Sequence, residues 1–255
     1  MSGHLYQEDL AYIHHAGFLG LAERAAPWIV SQLRRRGLVG GRVVELGCGS
    51  GLVLRVLAEA GYEPYGIDAS AEMLALARTI APGVALEQAS LYECAIPPCV
   101  AVVAVGEGLN YWAHPSPPPT AALFGRVATA LDPNGFFLFD VITRRREVPA
   151  PYRTWAAGPD WACLVEVKAT ASELVREIAT FRLHEGSYRR AAETHRVHPF
   201  RESALRRELV EAGFAPSTRR AYGATPLAPG RRLFWSPRQR SGTGASPGRS
   251  RAGKG

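Results

Sequence analysis

A glycine-rich turn carries the clearest chemical signal in this chain of 255 residues. The run starts with Val43 and Val44, passes through Glu45 and reaches Gly47, after which glycine takes every second position to Gly51. Two β-branched residues suit a strand that is buried on both faces. Glycine lets the backbone approach a ligand closely, and the helix that follows directs its amides and positive end at the turn. The run therefore predicts a strand, a turn and a helix that hold a nucleotide-like ligand.

A second carboxylate follows at the spacing expected of a neighbouring strand. Asp68 ends a strand-like stretch, where an acidic side chain can accept hydrogen bonds from both hydroxyls of a ribose. Ser70 is suited to cap the next helix, whose first turn contains Met73. Dehydrogenases use an acidic residue in the same way, so Asp68 alone does not decide which cofactor binds.

The spacing of the glycines argues against two other cofactor classes. A dinucleotide fingerprint needs a third small residue at position 52, where this chain has Leu52, and its third glycine is Gly51. A P-loop ends in Gly-Lys-Ser/Thr, which is absent here. The string Glu-Leu-Gly-Cys-Gly-Ser-Gly over 45–51 instead resembles motif I of class I S-adenosylmethionine-dependent methyltransferases. The string Asp-Ala-Ser-Ala-Glu-Met-Leu-Ala-Leu-Ala-Arg over 68–78 is similar to their second motif.

The elements around these motifs predict an α/β fold. Strand-like and helix-like stretches alternate over residues 40–142, which favours a parallel sheet with helices on both faces. Leu-x-Pro-x-Gly at 131–135 is also typical of the family. The resemblance implies a doubly wound, mostly parallel, seven-stranded Rossmann-like methyltransferase sheet with an antiparallel β insertion. The insertion is expected because residues 161–170, 173–184 and 188–198 alternate with a period near two.

The resemblance also assigns side chains to S-adenosylmethionine. Ala69 and Met73 would lie near the adenine, and Ser90 with Leu91 stands where many relatives carry an Asp that binds the adenine amino group. Glu107 and Asp140, like Glu45 and Asp68, follow the carboxyl ends of predicted strands, where ligands bind in such sheets. The predicted cofactor-binding residues are Glu45, Gly47, Cys48, Gly49, Gly51, Asp68, Ala69, Met73, Ser90, Leu91 and Glu107.

The catalytic residue is less accessible to sequence reasoning. Methyl transfer from a sulfonium is an in-line displacement, in which the protein mainly aligns the reactants and excludes water. A general base is needed only where the acceptor must lose a proton. Glu107 and His14 are the two candidates, and no residues have the spacing of a metal site. Residues 106–114 are predicted to face the acceptor.

Domain organisation follows from shifts in composition. Residues 1–237 are predicted to form a single methyltransferase domain, with a helical cover over 1–37 and an inserted β meander over 150–200 that could form a homodimer contact. Residues 238–255 are rich in Ser, Gly, Pro and Arg and are predicted to be a disordered basic tail. This tail supplies five of the seven net positive charges.

Composition also limits the location and the partners. The chain has no run of 18 or more apolar residues and no apolar segment near Met1, which predicts a cytoplasmic protein without a membrane span or signal peptide. Its four cysteines lack zinc-site spacing and are interpreted as reduced thiols. The Asn/Asp-Pro-Pro-aromatic motif of enzymes that methylate base amino groups is absent from 106–114, which argues against a nucleic-acid acceptor.

These observations predict a methyltransferase that acts on a small molecule. One alternative is an RNA or protein methyltransferase guided by the basic tail. Another is a catalytically silent cofactor-binding protein, which would bind the cofactor and leave every class of acceptor unmodified. An NAD-dependent oxidoreductase fits least well, because of Gly51 and Leu52.

Overall fold

The computed structural model describes residues 5–112, 116, 118–145, 147–170 and 172–239. The first residues of the predicted cover, residues 113–114 of the predicted acceptor wall and nearly all of the predicted tail lie outside these ranges. The helices are α1 (Glu8–Gly17), α2 (Gly20–Arg35), α3 (Leu52–Glu59), α4 (Ala71–Ile80), α5 (Thr120–Ala130) and α6 (Glu202–Glu211), with a 3-10 turn at Gly108–Asn110. The strands are β1 (Arg42–Leu46), β2 (Glu63–Asp68), β3 (Ala85–Gln88), β4 (Cys99–Ala104), β5 (Leu131–Ile142), β6 (Tyr152–Ala157), β7 (Trp161–Ala169), β8 (Leu174–His184), β9 (Ser187–Val197), β10 (Ser217–Arg219), β11 (Ala221–Tyr222), β12 (Thr225–Pro226) and β13 (Arg231–Pro237).

The main sheet has seven strands in the order β10-β13-β5-β4-β1-β2-β3. Strands β3, β2, β1, β4 and β5 are parallel, whereas β13 is antiparallel to both β5 and β10. The strand order reverses between β1 and β4, so the carboxyl ends of these two strands border the crevice in which such sheets bind ligands. The predicted seven-stranded, mostly parallel Rossmann-like sheet is confirmed.

The core explains why the strand sequences read as continuously apolar. Val43 and Val44 in β1 are fully buried and point to opposite faces of the sheet. In β5, Phe137 and Phe139 pack on one face with α5 and α6, whereas Phe136 packs on the other face with α2 and α3. Strands buried on both faces leave polar residues only at their ends, which is where the crevice lies.

The two N-terminal helices serve different parts of the molecule. Helix α2 packs on the main sheet through Ile29 and Leu33. Helix α1 packs instead on the insertion, where Leu10 and Ile13 contact Trp161 and other inward-facing residues of β7 and β8. The predicted cover of 1–37 therefore divides into a sheet-bound helix and a helix that lies between the insertion and the crevice.

The insertion is a four-stranded antiparallel sheet in the order β6-β7-β8-β9. The sequence predicts the last three strands within a few residues but does not predict β6, whose residues are mostly exposed and do not alternate. One face of this sheet packs against α1. Along the chain, the insertion directly follows β5, which contains Asp140.

The folded body extends slightly further than the predicted boundary at residue 237. The backbone N–H of Arg238 donates to Gly135 O at 3.0 Å, and that of Gln239 donates to Gly213 O at 2.9 Å.

All four cysteines are free and buried.

Candidate functional site

The glycine turn between β1 and α3 uses its three glycines in two ways. Gly47, Gly49 and Gly51 all have a left-handed backbone, with φ of 70°, 52° and 82°. A Cβ built on Gly47 or Gly49 would meet no atom closer than 3.8 Å, which is an ordinary van der Waals contact, so these two positions are not crowded by the protein. A Cβ on Gly51 would lie 3.0 Å from the Cβ of Ala77 in α4. The third glycine therefore allows close packing with α4.

Asp68 organises this turn from the end of β2. Its Oδ2 accepts a hydrogen bond from Gly49 N at 2.8 Å, and its Oδ1 accepts one from Ser70 N at 2.9 Å. Burial raises the pKa of Asp68, and these backbone hydrogen bonds oppose the shift by favouring the carboxylate. The side chain thus ties two crevice-facing loops together at the position where ribose recognition is predicted.

Three predicted residues surround the turn in different ways. Met73 is buried, and its Sδ lies 4.0 Å from a Cβ built on Gly49, while Ala69 is exposed beside it. The Cys48 side chain packs in the core with Leu54, and its backbone N–H donates to Ile67 O at 3.0 Å. Burial also raises the pKa of the Cys48 thiol well above its ordinary value.

The segment after β3 approaches the turn from the other side. The Cδ2 of Leu91 would lie 4.0 Å from a Cβ on Gly47 and 3.8 Å from a Cβ on Gly108. The backbone of Ser90 turns here, because its carbonyl accepts hydrogen bonds from Glu93 N at 2.9 Å and Cys94 N at 2.8 Å. The structure thus brings the predicted residues of three separate loops to one edge of the sheet.

Glu107, which follows β4, is held by two arginines from distant parts of the chain. Arg176 Nη1 lies 2.5 Å from its Oε1, and Arg231 Nη2 lies 2.7 Å from its Oε2. Burial acts to raise the pKa of Glu107, but the two guanidinium groups outweigh burial and hold the pKa below its ordinary value. With both oxygens engaged and the charged form favoured, Glu107 is poorly suited to accept a proton.

Two other buried carboxylates have an oxygen with no hydrogen-bond partner among the described residues. They are Glu45 at the end of β1, through its Oε2, and Asp140 in β5, through its Oδ2. Asp140 Oδ1 accepts hydrogen bonds from Gly106 N at 2.8 Å and Tyr222 Oη at 2.7 Å. Burial raises the pKa of both acids. Buried acceptors without donors mark places where a ligand group that carries N–H bonds would be stabilised.

Aromatic and imidazole side chains gather opposite the turn. The Tyr6 ring centroid lies 5.2 Å from that of His14, 5.0 Å from that of His195 and 6.2 Å from that of Tyr111. Tyr111 Oη accepts a hydrogen bond from Arg176 Nη1 at 2.7 Å. His14 Nδ1 is buried and finds no partner in the part of the chain that is described, and burial lowers the pKa of His14 to about 4. His14 is therefore a neutral imidazole near pH 7.

Sequence reasoning missed Tyr6, Arg176, His195 and Arg231, because none lies in a motif. One signal was available in the insertion. Arg176 and His195 are directly opposite each other in the β8–β9 register, so their side chains point to the same face of the sheet. The same face packs on α1. The period near two that is predicted for both strands agrees with this shared orientation of the side chains. The register itself cannot be read from the sequence.

Comparisons with known proteins agree with the fold. A Rossmann-like sheet with a glycine turn after β1 and a carboxylate after β2 defines the class of nucleotide-binding enzymes to which methyltransferases belong. A family model described as a methyltransferase domain matches residues 18–218, and the chain belongs to this family. The chain is 29% identical over 196 residues to the Bacillus subtilis (strain 168) protein "Putative methyltransferase YqeM". The matched region covers 73% of this chain and 77% of that protein.

Two solved structures extend the likeness across most of the chain. An S-adenosylmethionine-dependent methyltransferase from Clostridium acetobutylicum superposes with a TM-score of 0.75 at 16% identity, over 90% of this chain and 97% of the other. SAM-bound CalS10, an amino pentose methyltransferase from Micromonospora echinaspora, superposes with a TM-score of 0.73 at 17% identity, over 92% and 98%. At these identities the likeness establishes the shared fold.

Two further features concern metals and membranes. The described residues contain no cluster of three or more His, Cys, Asp or Glu side chains able to hold a metal ion. Within the same ranges, no helix combines the length and the apolar character needed to cross a membrane.

Proposed function

We propose that this methyltransferase transfers the methyl group of S-adenosylmethionine to a small-molecule acceptor. The observation that carries the proposal is the convergence of Gly47, Gly49, Asp68 and Leu91 at the crevice between β1 and β4. The SAM-bound state of CalS10, which shares the fold, supports the choice of cofactor.

The residues present fit this cofactor. The turn carries no side chain at Gly47 or Gly49 that would block the cofactor, and Asp68 would accept hydrogen bonds from its ribose hydroxyls. Ala69 and Met73 would line the adenine, together with Ser90 and Leu91. The unpartnered Glu45 Oε2 would accept a hydrogen bond from the ammonium group of the methionine part. Cys48 and Gly51 would contribute through the packing of the turn.

In this reaction the protein mainly positions the cofactor and the acceptor. The bound cofactor supplies an electrophilic methyl group on a positively charged sulfur. Glu107 and Tyr111 are fixed by Arg176, so they would orient the acceptor nucleophile for in-line attack. His14, the other predicted catalytic candidate, is neutral at physiological pH, but a pKa of about 4 makes it a weak base, so a proton released by the acceptor would pass to water. Glu107 would act through position and charge.

An amino group on a sugar-like molecule is the acceptor that we favour. CalS10 is an amino pentose methyltransferase, and this chain shares its architecture over almost its whole length. An assay with labelled S-adenosylmethionine and a panel of amino sugars, RNA and proteins separates the alternatives. Labelling of an amino sugar supports the proposal. Labelling of RNA or protein would favour tail guidance, and no labelling of any acceptor would favour a silent cofactor-binding protein.

The cofactor assignment is tested by the substitution Asp68→Ala. Removal of the carboxylate should weaken the binding of S-adenosylhomocysteine by about 2–4 kcal/mol, because two charge-assisted hydrogen bonds to the ribose are lost. Isothermal titration calorimetry measures the change, and thermal unfolding checks that the variant is folded. Glu63→Ala, at the exposed start of the same strand, should bind like wild type. An unchanged affinity in Asp68→Ala would refute the ribose role, and a wild-type protein that does not bind would refute the cofactor.

The homodimer contact and the cytoplasmic location are also proposals. The outward face of the insertion exposes Trp155 and Leu164, which favours the predicted homodimer contact. A cytoplasmic location is proposed on composition alone.

A further inference from the structure

Helix α1 begins without a cap from its own sequence. Gln7 occupies the N-cap position and makes no side-chain capping hydrogen bond. The carboxylate of Glu193 in β9 instead holds the backbone that leads into the helix, because its Oε1 accepts from Gln7 N at 2.9 Å and its Oε2 accepts from Tyr6 N at 2.8 Å. The Glu193 side chain is 6% exposed, and His195 Nε2 lies 2.8 Å from the same Oε2. A residue of the insertion therefore holds the start of a helix through two backbone N–H groups that lie 186 and 187 positions away in sequence.

Further contacts bind α1 to the insertion. Asp9, which is 4% exposed, is held by Arg189 through Nε at 2.8 Å and Nη2 at 2.5 Å. Tyr12 Oη donates to Asp160 Oδ2 at 2.6 Å. A Cβ on Gly17 would lie 2.5 Å from the Trp161 ring, so only glycine fits at this end of the helix.

The opposite side of α1 contacts the predicted cofactor loops. Ser70 Oγ donates to Tyr6 O at 2.9 Å, and Ser70 N donates to Asp68 Oδ1 at 2.9 Å. His15 Nδ1 lies 2.9 Å from Ser50 Oγ in the glycine turn. Tyr6 thus bonds to Glu193 through its N–H and to Ser70 through its carbonyl.

We propose that Glu193 is a positioning residue for the cofactor, which acts by fixing α1 over the glycine turn. A helix of ten residues is too short to be stable alone, so its position depends on its contacts. If α1 is docked for only a fraction of the time, the apparent affinity for the cofactor falls by that fraction. The inference rests on the proposed function, because it concerns the same cofactor. Helix α1 also precedes the residues 18–218 that match the family.

The test compares Glu193→Ala and Glu193→Gln with wild type in the full-length protein. Loss of the two hydrogen bonds should speed amide hydrogen exchange in residues 6–17 about fivefold or more, since hydrogen bonds to a charged group contribute on this order. The affinity for S-adenosylhomocysteine, measured by calorimetry, should fall by about the same factor. Glu193→Gln should be intermediate, because its amide oxygen can still accept one of the two hydrogen bonds.

Glu173→Ala is the matched control. Glu173 lies in the insertion and pairs with Arg196 at 2.8 Å without touching α1, so both readouts should match wild type. Wild-type exchange in residues 6–17 together with wild-type affinity in Glu193→Ala would overturn the proposal. Faster exchange spread over β8 and β9 would overturn it as well, since that indicates general destabilisation. If Glu193→Ala fails to fold, Glu193→Gln alone decides.

The two proposals fail in different ways. A wild-type protein that does not bind S-adenosylhomocysteine refutes the cofactor assignment. The exchange experiment on the ligand-free protein still tests whether Glu193 fixes α1.

Discussion

Gly47 and Gly51 share a left-handed backbone, yet their surroundings differ. A Cβ at Gly47 would make only ordinary contacts, whereas a Cβ at Gly51 would press on Ala77 in α4. The motif predicts all three glycines as cofactor-binding residues. In the folded protein, Gly51 also lets the turn and α4 approach each other, which the sequence cannot reveal because neither motif shows how the two pack together.

Gly51→Ala should therefore destabilise the protein more than a glycine substitution in open space. Gly37 has φ of 73° and no atom near its hypothetical Cβ, so Gly37→Ala should cost only the left-handed backbone, about 1–2 kcal/mol. Gly51→Ala should cost about 1–3 kcal/mol more, because the 3.0 Å contact overpacks the interface with α4. Urea unfolding measures both, and equal losses would contradict the packing role.

Glu45 provides a test based on pH. Burial raises its pKa in the native state, so between the ordinary glutamate pKa and this raised value the native state binds more protons than the unfolded state. The stability of the ligand-free protein should then fall as the pH rises through this window, by up to about 1.4 kcal/mol per pH unit.

Glu45→Gln cannot titrate at this position, so its stability should fall less steeply with rising pH. Urea unfolding between about pH 5 and pH 8 provides the comparison. Exposed Glu63→Gln, at the other end of the neighbouring strand, should follow wild type. Parallel curves for wild type and Glu45→Gln would show that the buried carboxyl does not govern the slope.

At the level of secondary-structure elements, Asn110 joins the insertion to the main sheet. Its Nδ2 donates to Ile142 O at 3.0 Å and to His198 O at 2.8 Å, and its Oδ1 accepts from Ile142 N at 2.9 Å. These partners lie at the end of β5 and just after β9. The fully buried Asn110 side chain therefore satisfies the backbone where the chain leaves the main sheet and where it returns.

Asn110→Ala should lower the free energy of unfolding by about 2–4 kcal/mol, because three buried backbone groups lose their partner. Glu63→Ala, at an exposed position, should change it by less than about 0.5 kcal/mol. Chemical denaturation followed by tryptophan fluorescence reports the difference. A small effect at Asn110 would mean that water replaces the side chain without cost.

Sequence patterns predict a helix or strand well where one face of it, or both faces, are buried. Strand β1, helices α3 and α4 and the alternating strands β7 to β9 are each predicted within a few residues. Strand β6 is missed because its exposed residues show no periodicity. The cofactor motifs are local and therefore readable, whereas Tyr6, Arg176 and Arg231 reach the site through register and packing between distant segments.

At the scale of the whole molecule, the outward face of the insertion is the homodimer contact that we propose. Trp155, Leu164, Ala179 and Ala192 are register partners and form an apolar row across all four strands. Trp155 is 75% exposed, and the row lines a groove of about 590 Å³. Charged residues, including Arg153, Glu166 and Glu177, flank the row, and an exposed aromatic residue in an apolar row with a polar rim is typical of protein interfaces.

Trp155→Arg combined with Leu164→Arg should convert a dimer into a monomer, because two charges would be buried without partners. Sedimentation velocity at micromolar concentration measures the state. Val39→Arg, which alters an 83% exposed residue before β1, should leave the dimer intact. A monomeric wild-type protein would contradict the interface.

The place of β13 in the sheet has a consequence for synthesis. This strand comes last in the described chain but pairs with β5 on one side and β10 on the other, and it delivers Arg231 to Glu107. A nascent polypeptide leaves the ribosome from its N-terminus, so the edge of β5 stays open until residues 231–237 emerge. The electrostatic completion of the site is thus deferred until β13 has been synthesised, and a product that terminates before β13 exposes an unpaired strand edge beside an incompletely compensated carboxylate.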